Sequence, residues 1–134
     1  MILVDAGPLV AFVDRDDGHH RRCVSALKKL RGPLGTVWPA FTEAMYLLSD
    51  VPNAQEALWE MLSRRAIQLI SLDERDIPRM RELMRKYADR PMDLADAALV
   101  RVAERENIER VFTVDRKDFG VYRIHGRKSF RIIP

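Results

Sequence analysis

Four acidic side chains stand at places in the sequence where helices are predicted to begin and strands to end. They are Asp5, Glu43, Asp96 and Asp115, with Asp93 as a fifth candidate. Carboxylate oxygens suit a hard divalent cation such as Mg²⁺, which keeps several waters and binds phosphate oxygens beside one or two carboxylates. This donor set predicts metal-assisted hydrolysis of a phosphodiester, because a bound cation activates water and neutralises charge on the phosphate oxygens.

Residues 92–119 indicate how two groups of these acids could meet. Good helix formers over 93–105, with Asp93 placed to cap the first turn, predict a helix whose start also carries Asp96. The apolar run 111–114 predicts a strand covered on both faces, and Asp115 follows its carboxyl end. Ligand sites of open α/β sheets lie outside the carboxyl ends of the strands, so we expect these carboxylates to share one crevice.

The rest of the chain alternates short strands with amphipathic helices. Asp5 follows the first strand, and Glu43 lies in the first turn of a helix that Pro39 opens. The pattern predicts one α/β domain over residues 1–134, with a central parallel sheet of about five strands and helices on both faces. Further strands are predicted at 2–4, 34–38, 66–72 and 130–133, and further helices at 9–13, 21–30, 39–48, 53–64 and 76–87.

Each acid also has an ordinary structural explanation. Asp5 could cap the helix that follows it, Glu43 could satisfy a helix dipole, and Asp93 could be a cap alone. Two carboxylates about 4 Å apart repel by roughly 1 kcal/mol in water and about 4 kcal/mol at an effective dielectric of 20. A cluster of four therefore requires compensation, which a divalent cation supplies.

Composition limits the partners and the compartment. The chain has 134 residues, 47% hydrophobic, and 23 basic minus 20 acidic residues give a net charge of +3, which permits a nucleic-acid partner without demanding one. Cys23 is the single cysteine, so we expect a buried thiol and a reducing compartment. No apolar run approaches the roughly 18 residues of a membrane span, and we expect a cytoplasmic protein.

Two polar tracts invite other functional hypotheses. The neighbouring His19 and His20 could suggest a metal site, but adjacent helix positions point about 100° apart and are poorly placed to share an ion. The last nineteen residues carry six basic groups and one acid. Arg116, Lys117 and Arg123 could hold a nucleic-acid backbone beside Asp115, although a solvated basic surface explains them nearly as well.

Four segments, VDAGPLVAFVD, PAFTEAMYLL, MDLADAALVRVAE and VFTVDRKDF, occur in this order along the chain. Together they resemble the acidic blocks of PIN-domain nucleases, specifically the VapC toxin branch, over essentially the whole sequence. The resemblance assigns the family's four acids to Asp5, Glu43, Asp96 and Asp115. It also implies that the Thr113 hydroxyl supports the site. Two further acids take less certain places in the blocks: Asp118 matches one that is more often structural, and Asp93 either shares the metal or caps its helix.

The resemblance implies an endoribonuclease that uses Mg²⁺ or Mn²⁺ to cut RNA, forms a homodimer and is inhibited by a VapB-type antitoxin. A housekeeping RNA-processing nuclease is an alternative within the family.

Other α/β proteins also carry aspartates at strand ends. A phospho-accepting receiver domain would have paired acids after the first strand and a lysine ending the last one, and a haloacid-dehalogenase-type phosphatase would have a second aspartate at position 7. Here Ala6 and Gly7 follow Asp5, and residues 130–134 contain no lysine. A metal-binding regulatory or binding module without nuclease activity remains an alternative.

Overall fold

The computed structural model describes residues 1–134 and contains one five-stranded parallel sheet and a small antiparallel hairpin. The strands are β1 (Ile2–Val4), β2 (Leu34–Thr36), β3 (Ile67–Leu69), β4 (Arg110–Phe112), β5 (Arg123–Ile124), β6 (Lys128–Ser129) and β7 (Arg131–Ile133). The helices are α1 (Ala6–Val13), α2 (His20–Lys29), α3 (Trp38–Leu47), α4 (Pro52–Ser63), α5 (Ile77–Lys86), α6 (Leu94–Glu106) and α7 (Arg116–Phe119), and a 3₁₀ turn spans Glu74–Asp76.

The sheet has the strand order β3-β2-β1-β4-β7, with every neighbouring pair parallel. Successive strand residues point to opposite faces, so the apolar strands supply two cores. Leu3 and Val111 pack with α6 on one face, while Ile2, Val4 and Phe112 pack with α1 and α4 on the other. The predicted α/β fold, with about five parallel strands and helices on both faces, is confirmed.

Helix α6, which carries Asp96 in its first turn, is held by close packing and by ion pairs along its second half. Alanines at several positions of α6 bring it close to the sheet, where most of the helix is buried. On its outer side Arg101 and Arg105 donate to the two carboxylate oxygens of the buried Asp76, at 2.7 and 2.8 Å. A buried acid between two guanidiniums holds α6 against the start of α5.

A close backbone approach joins α1 to the end of β4. A Cβ atom on Gly7 would lie 2.6 Å from Cγ2 of Val114, a distance that real side chains do not adopt. Glycine therefore permits the first turn of α1 to lie beside the residue that precedes Asp115.

Several local predictions differ from the structure. The predicted strand 34–38 ends at Thr36, because Pro39 favours a helix start and Trp38 becomes its first residue, half exposed. The strand predicted at 66–72 is only β3, an edge strand whose Leu69 is exposed. The helix α7 and the β5–β6 hairpin were not predicted, because neither has enough residues for a periodic pattern.

The remaining sequence predictions are simpler. Cys23 is fully buried, as expected for a small apolar side chain. His20 uses its Nδ1 for a 2.6 Å contact with the Ala11 carbonyl oxygen, which anchors the start of α2. None of the helices combines the length and the apolarity that crossing a membrane requires.

Candidate acidic metal site

The carboxyl ends of the two central strands place Asp5 beside Thr113. Val4 of β1 pairs with Phe112 of β4, so the residue after each strand emerges at the same height. Thr113 Oγ1 donates to Asp5 Oδ2 at 2.9 Å, and the Asp115 amide donates to Thr113 Oγ1 at 3.0 Å. The Ala6 amide donates to Asp5 Oδ1 at 2.8 Å. Both oxygens of Asp5 are thus oriented, and Thr113 links Asp5 to Asp115.

Two further carboxylates come from the start of α6. Asp93 caps this helix by accepting a 2.8 Å hydrogen bond from the amide of Asp96, so its predicted capping role is present. Asp96 points its own carboxylate toward the sheet edge, where Asp96 Oδ2 accepts a 2.8 Å hydrogen bond from the Tyr122 hydroxyl. Tyr122 is fully buried and packs edge-on against Tyr87 and Phe119. Its hydroxyl therefore holds Asp96 from a fixed position.

Three acids form the remaining wall and rim. Glu43 is exposed on the surface of α3, with its carboxylate at the mouth of the cleft. Asp115 caps α7 by accepting a 3.0 Å hydrogen bond from the Asp118 amide. Asp118 forms an ion pair with Arg90 at 3.2 Å, and Arg90 does not line the cleft.

All of the acids singled out in the sequence line one cleft. The cleft runs across the carboxyl edge of the sheet, and no basic side chain lies among its walls. Its acidic residues are Asp5, Glu43, Asp93, Asp96, Asp115 and Asp118. The predicted convergence of side chains separated by up to 110 positions is therefore present in the fold.

Burial and mutual repulsion raise the pKa of Asp5, Glu43, Asp96 and Asp115. Burial raises the pKa of Asp5 to about 6, against hydrogen bonds from Ala6 and Thr113 that lower it. The pKa of Asp96 rises to about 8, first through burial and then through the negative charge of Asp5. Burial also raises the pKa of Glu43 and of Asp115, and the charge of Asp93 adds to both. The cleft thus carries negative charge that Arg90, paired with Asp118, offsets only in part.

The donor set fits a hard divalent cation. Its potential ligands are all carboxylate oxygens, and the charge of a bound cation would oppose the burial and the repulsion that raise the pKa of Asp5 and of Asp96. No three of the His, Cys, Asp or Glu side chains stand close enough to form a ready coordination shell. An ion held here would draw the carboxylates together or retain waters between them, as Mg²⁺ commonly does.

The three basic residues proposed to hold nucleic acid follow Asp115 in the chain and differ in how firmly their side chains are held. Arg116 donates to the carbonyl oxygen of Pro134, and Arg123 Nη1 donates to the carbonyls of residues 120–122 at 2.8 to 3.1 Å. Lys117 is exposed on α7. Of the three, Lys117 is the side chain most available to a phosphate.

Two residues of the site were missed by sequence reasoning. Tyr122 contacts Asp96 and Arg90 contacts Asp118, yet each belongs to an irregular segment. No periodicity or spacing marks either residue, and only the path of the chain after α7 brings Tyr122 beneath α6.

Comparison with protein families gives a match over most of the chain. The model of the PIN domain matches residues 2–124. The matched range contains every acid of the cleft and both residues that orient them, Thr113 and Tyr122.

One relative is similar in sequence, and two solved structures are similar in fold at low sequence identity. Ribonuclease VapC26 of Mycobacterium tuberculosis is 25% identical over 135 aligned residues, which cover 99% of this chain and all of that protein. The crystal structure of M. tuberculosis VapC20, described as a sarcin-ricin loop cleaving toxin, superposes with a TM-score of 0.79 at 15% identity, covering 87% of this chain and 92% of that one. A toxin-antitoxin complex from Klebsiella pneumoniae gives a TM-score of 0.69 at 20% identity, with coverage of 90% and 92%.

Proposed function

Because the chain belongs to the PIN-domain family, we propose that it is an endoribonuclease that uses Mg²⁺ or Mn²⁺ at the acidic cleft. The observation that supports this most directly is the convergence of carboxylates from β1, α3, α6 and the end of β4 in a cleft without basic walls. We assign the metal to Asp5, Glu43, Asp96 and Asp115, with Asp93 as an additional ligand.

The residues of the cleft have distinct tasks in this proposal. A divalent cation, when bound, lowers the pKa of an attacking water and neutralises charge that builds on the phosphate and the leaving oxygen. Thr113 fixes the plane of the Asp5 carboxylate, and Tyr122 fixes one oxygen of Asp96. Such outer hydrogen bonds keep ligands in position and are worth about 10- to 100-fold in metal affinity or activity in other metal sites.

Binding of RNA requires positive charge near this acidic site. Lys117 lies exposed on α7, which Asp115 caps, and Arg116 and Arg123 border the same helix. We assign the phosphates on either side of the cut to this basic flank, since phosphate contacts supply most of the sequence-independent affinity for nucleic acid. Asp118 has a supporting part, because its ion pair with Arg90 holds the loop before α6 against α7.

The names of the relatives support a proposal about partners. Because one relative is named a VapC ribonuclease and a structural neighbour is a toxin-antitoxin complex, we assign this protein to the toxin component of a VapBC pair, inhibited by a VapB-type antitoxin. We also propose that it forms a homodimer and acts in the cytoplasm, where its single free thiol stays reduced.

The decisive experiment is incubation of the purified protein with total RNA in Mg²⁺, with and without a chelator. Cleavage in Mg²⁺ that stops on chelation is expected, and the Asp5→Asn variant should be inactive under both conditions. Cleavage that survives complete chelation would contradict the metal mechanism. Tight RNA or ion binding without any cleavage would instead favour a binding module, and absence of an adjacent antitoxin gene would favour housekeeping RNA processing.

A further inference from the structure

The hairpin formed by β5 and β6 lies in a part of the chain that has no acidic residue. The sequence from position 119 to the end has four basic residues, which are Arg123, Arg127, Lys128 and Arg131. Lys128 is paired with Glu109, and Arg123 donates to carbonyl oxygens at the end of α7. Arg127 is exposed in the turn of the hairpin and belongs to no ion pair. The turn therefore carries a free guanidinium.

A buried acid holds the turn of this hairpin in one conformation. His125 and Gly126 both have positive φ angles, 54° and 74°, and such an angle is uncommon for a residue other than glycine. The His125 amide donates at 2.6 Å to Oε2 of Glu104, a buried residue of α6. Arg79 of α5 donates to both oxygens of the same carboxylate, each at 2.8 Å. The turn is thus fixed against α6 and, through Arg79, against α5.

Lys86, in the last turn of α5, lies over the same turn. Its Nζ atom is 5.4 Å from the centroid of the Tyr87 ring and 3.6 Å from the position that a Cβ atom on Gly126 would occupy. Lys86 is exposed and forms no ion pair, either with Glu82, which pairs with an arginine of α5, or with Asp89. A second free cation therefore lies beside the residue that precedes Arg127.

The backbone of the turn supplies one more donor. The Arg127 amide donates to the Ile124 carbonyl oxygen at 3.2 Å, and the His125 amide is occupied by Glu104. The Gly126 amide between them donates to no protein atom, and Gly126 is exposed. Lysine and arginine side chains and backbone amides are the usual donors to the phosphates of a nucleic acid. Lys86, Gly126 and Arg127, which we call the hairpin site, bring these three kinds of donor together.

The hairpin site lies close to the acidic cleft. Tyr122, whose hydroxyl donates to Asp96, immediately precedes β5, and the Arg123 amide donates to the Tyr87 hydroxyl at 3.1 Å. The rings of Tyr87 and Tyr122 pack with their centroids 5.0 Å apart. Four extended residues span at most roughly 14 Å, so the Cα atom of Gly126 lies within that distance of the Cα atom of Tyr122. A strand of RNA that enters the cleft therefore reaches the hairpin site within a few nucleotides.

We propose that the hairpin site binds a phosphate of the RNA substrate a few nucleotides away from the cut. The inference rests on the proposed ribonuclease function, and it adds donors from α5 and the hairpin to the basic flank of α7. The turn and the strands after it, residues 125–134, lie outside the range that the PIN-domain model matches. RNA is favoured over an acidic segment of a protein, because the adjacent cleft already requires an RNA strand within reach.

Fluorescence anisotropy of a labelled oligouridylate in chelating buffer tests this inference, because binding at the hairpin site requires no metal ion. Lys86→Ala combined with Arg127→Ala should weaken binding about 4- to 25-fold, since each exposed contact between charges is worth about 2- to 5-fold. The slope of log affinity against log salt concentration should fall by about 1.4, or about 0.7 for each lost phosphate contact. Lys28→Ala combined with Lys29→Ala is the matched control. It removes two exposed charges from the end of α2, which packs on the other face of the sheet, and should leave the slope unchanged.

Lys86→Arg combined with Arg127→Lys keeps both charges and should bind the oligouridylate as the wild type does, and circular dichroism melts check that every variant is folded. Equal salt slopes for the wild type and the Lys86→Ala/Arg127→Ala variant would overturn the inference. Competition by polyglutamate as effective as that by unlabelled oligouridylate would also overturn it, because the site would then fit an acidic protein segment. A protein that binds RNA through these residues but cuts none in Mg²⁺ would contradict the nuclease proposal alone.

Discussion

The hydroxyl of Tyr122 donates a 2.8 Å hydrogen bond to Oδ2 of Asp96. Tyr122 is buried between Tyr87 and Phe119, so this donor has no freedom to follow a displaced carboxylate. Burial is the main reason why the pKa of the Tyr122 phenol is raised. The hydrogen bond to Asp96 and the nearby negative charges raise it further. Tyr122 therefore remains a neutral donor throughout the range in which RNA is stable.

Removal of this hydroxyl should impair the metal site without unfolding the protein. We expect Tyr122→Phe to lower Mg²⁺ affinity or kcat by about 10- to 100-fold, the usual cost of losing an outer hydrogen bond to a metal ligand. Tyr87→Phe is the matched control, because it also removes a hydroxyl from this aromatic cluster. The Tyr87 hydroxyl accepts a 3.1 Å hydrogen bond from the Arg123 amide and contacts no acid of the cleft. Calorimetric Mg²⁺ titration and cleavage rates measure both effects. Equal behaviour of the two variants would show that Tyr122 acts through packing alone.

Neutralising a buried carboxylate should separate activity from stability. Asp96→Asn is expected to abolish cleavage, because it removes a ligand, and to leave the melting temperature without divalent cations unchanged or higher, because it relieves repulsion from Asp5. The measurements are an RNA cleavage assay and a thermal melt of the same sample. An active Asp96→Asn variant would remove Asp96 from the site.

The stability of the ion-free protein should fall as pH rises. The pKa values of about 6 for Asp5 and about 8 for Asp96 exceed the ordinary value of 3.8. Between pH 3.8 and these raised values, the folded state therefore binds more protons than the unfolded state. This contribution is complete below about pH 4 and is lost as pH passes through 6 and 8, by at most ~1.4 kcal/mol per pH unit for each proton.

Urea unfolding between pH 5 and 9 in a chelating buffer checks this direction. Asp96→Asn should show a flatter profile between pH 6 and 8 than the wild type, since the group that titrates there is absent. Asp76 and Glu104, whose pKa values are lowered, contribute in the opposite direction but only at lower pH. Stability that increases from pH 6 to 8 would contradict the buried acidic cluster.

Some of this site follows from the order of elements alone. The carboxyl ends of neighbouring parallel strands lie at one edge of the sheet, so the sequence predicts that Asp5 and Asp115 are close together. The predicted helix start places Asp96 at the same edge. The contacts of Tyr122 and Arg90 could not, because they depend on the path of irregular segments. The sequence predicts a strand that ends at Trp38, but Pro39 makes Trp38 the first residue of a surface helix.

The close approach at Gly7 gives a structural prediction. Gly7→Ala should destabilise the fold by about 1–3 kcal/mol, the usual cost of overpacking, because its Cβ would overlap the Val114 side chain. It should also reduce cleavage by moving Asp5 relative to Asp115. Gly18→Ala is the control, since an added Cβ there meets no atom within 4 Å. Urea denaturation of both variants decides the matter, and equal stabilities would show that α1 can shift without cost.

The central claim is that the converging acids form one divalent-cation site. Electron paramagnetic resonance of free Mn²⁺ tests it directly, because the signal of the free ion disappears when the ion binds. With the wild-type protein in excess, the free Mn²⁺ signal should be lost and should return on adding Mg²⁺, whereas the Asp5→Asn/Asp96→Asn double variant should leave it intact. A double variant that binds Mn²⁺ as well as the wild type, or a wild type that binds none, would contradict the account.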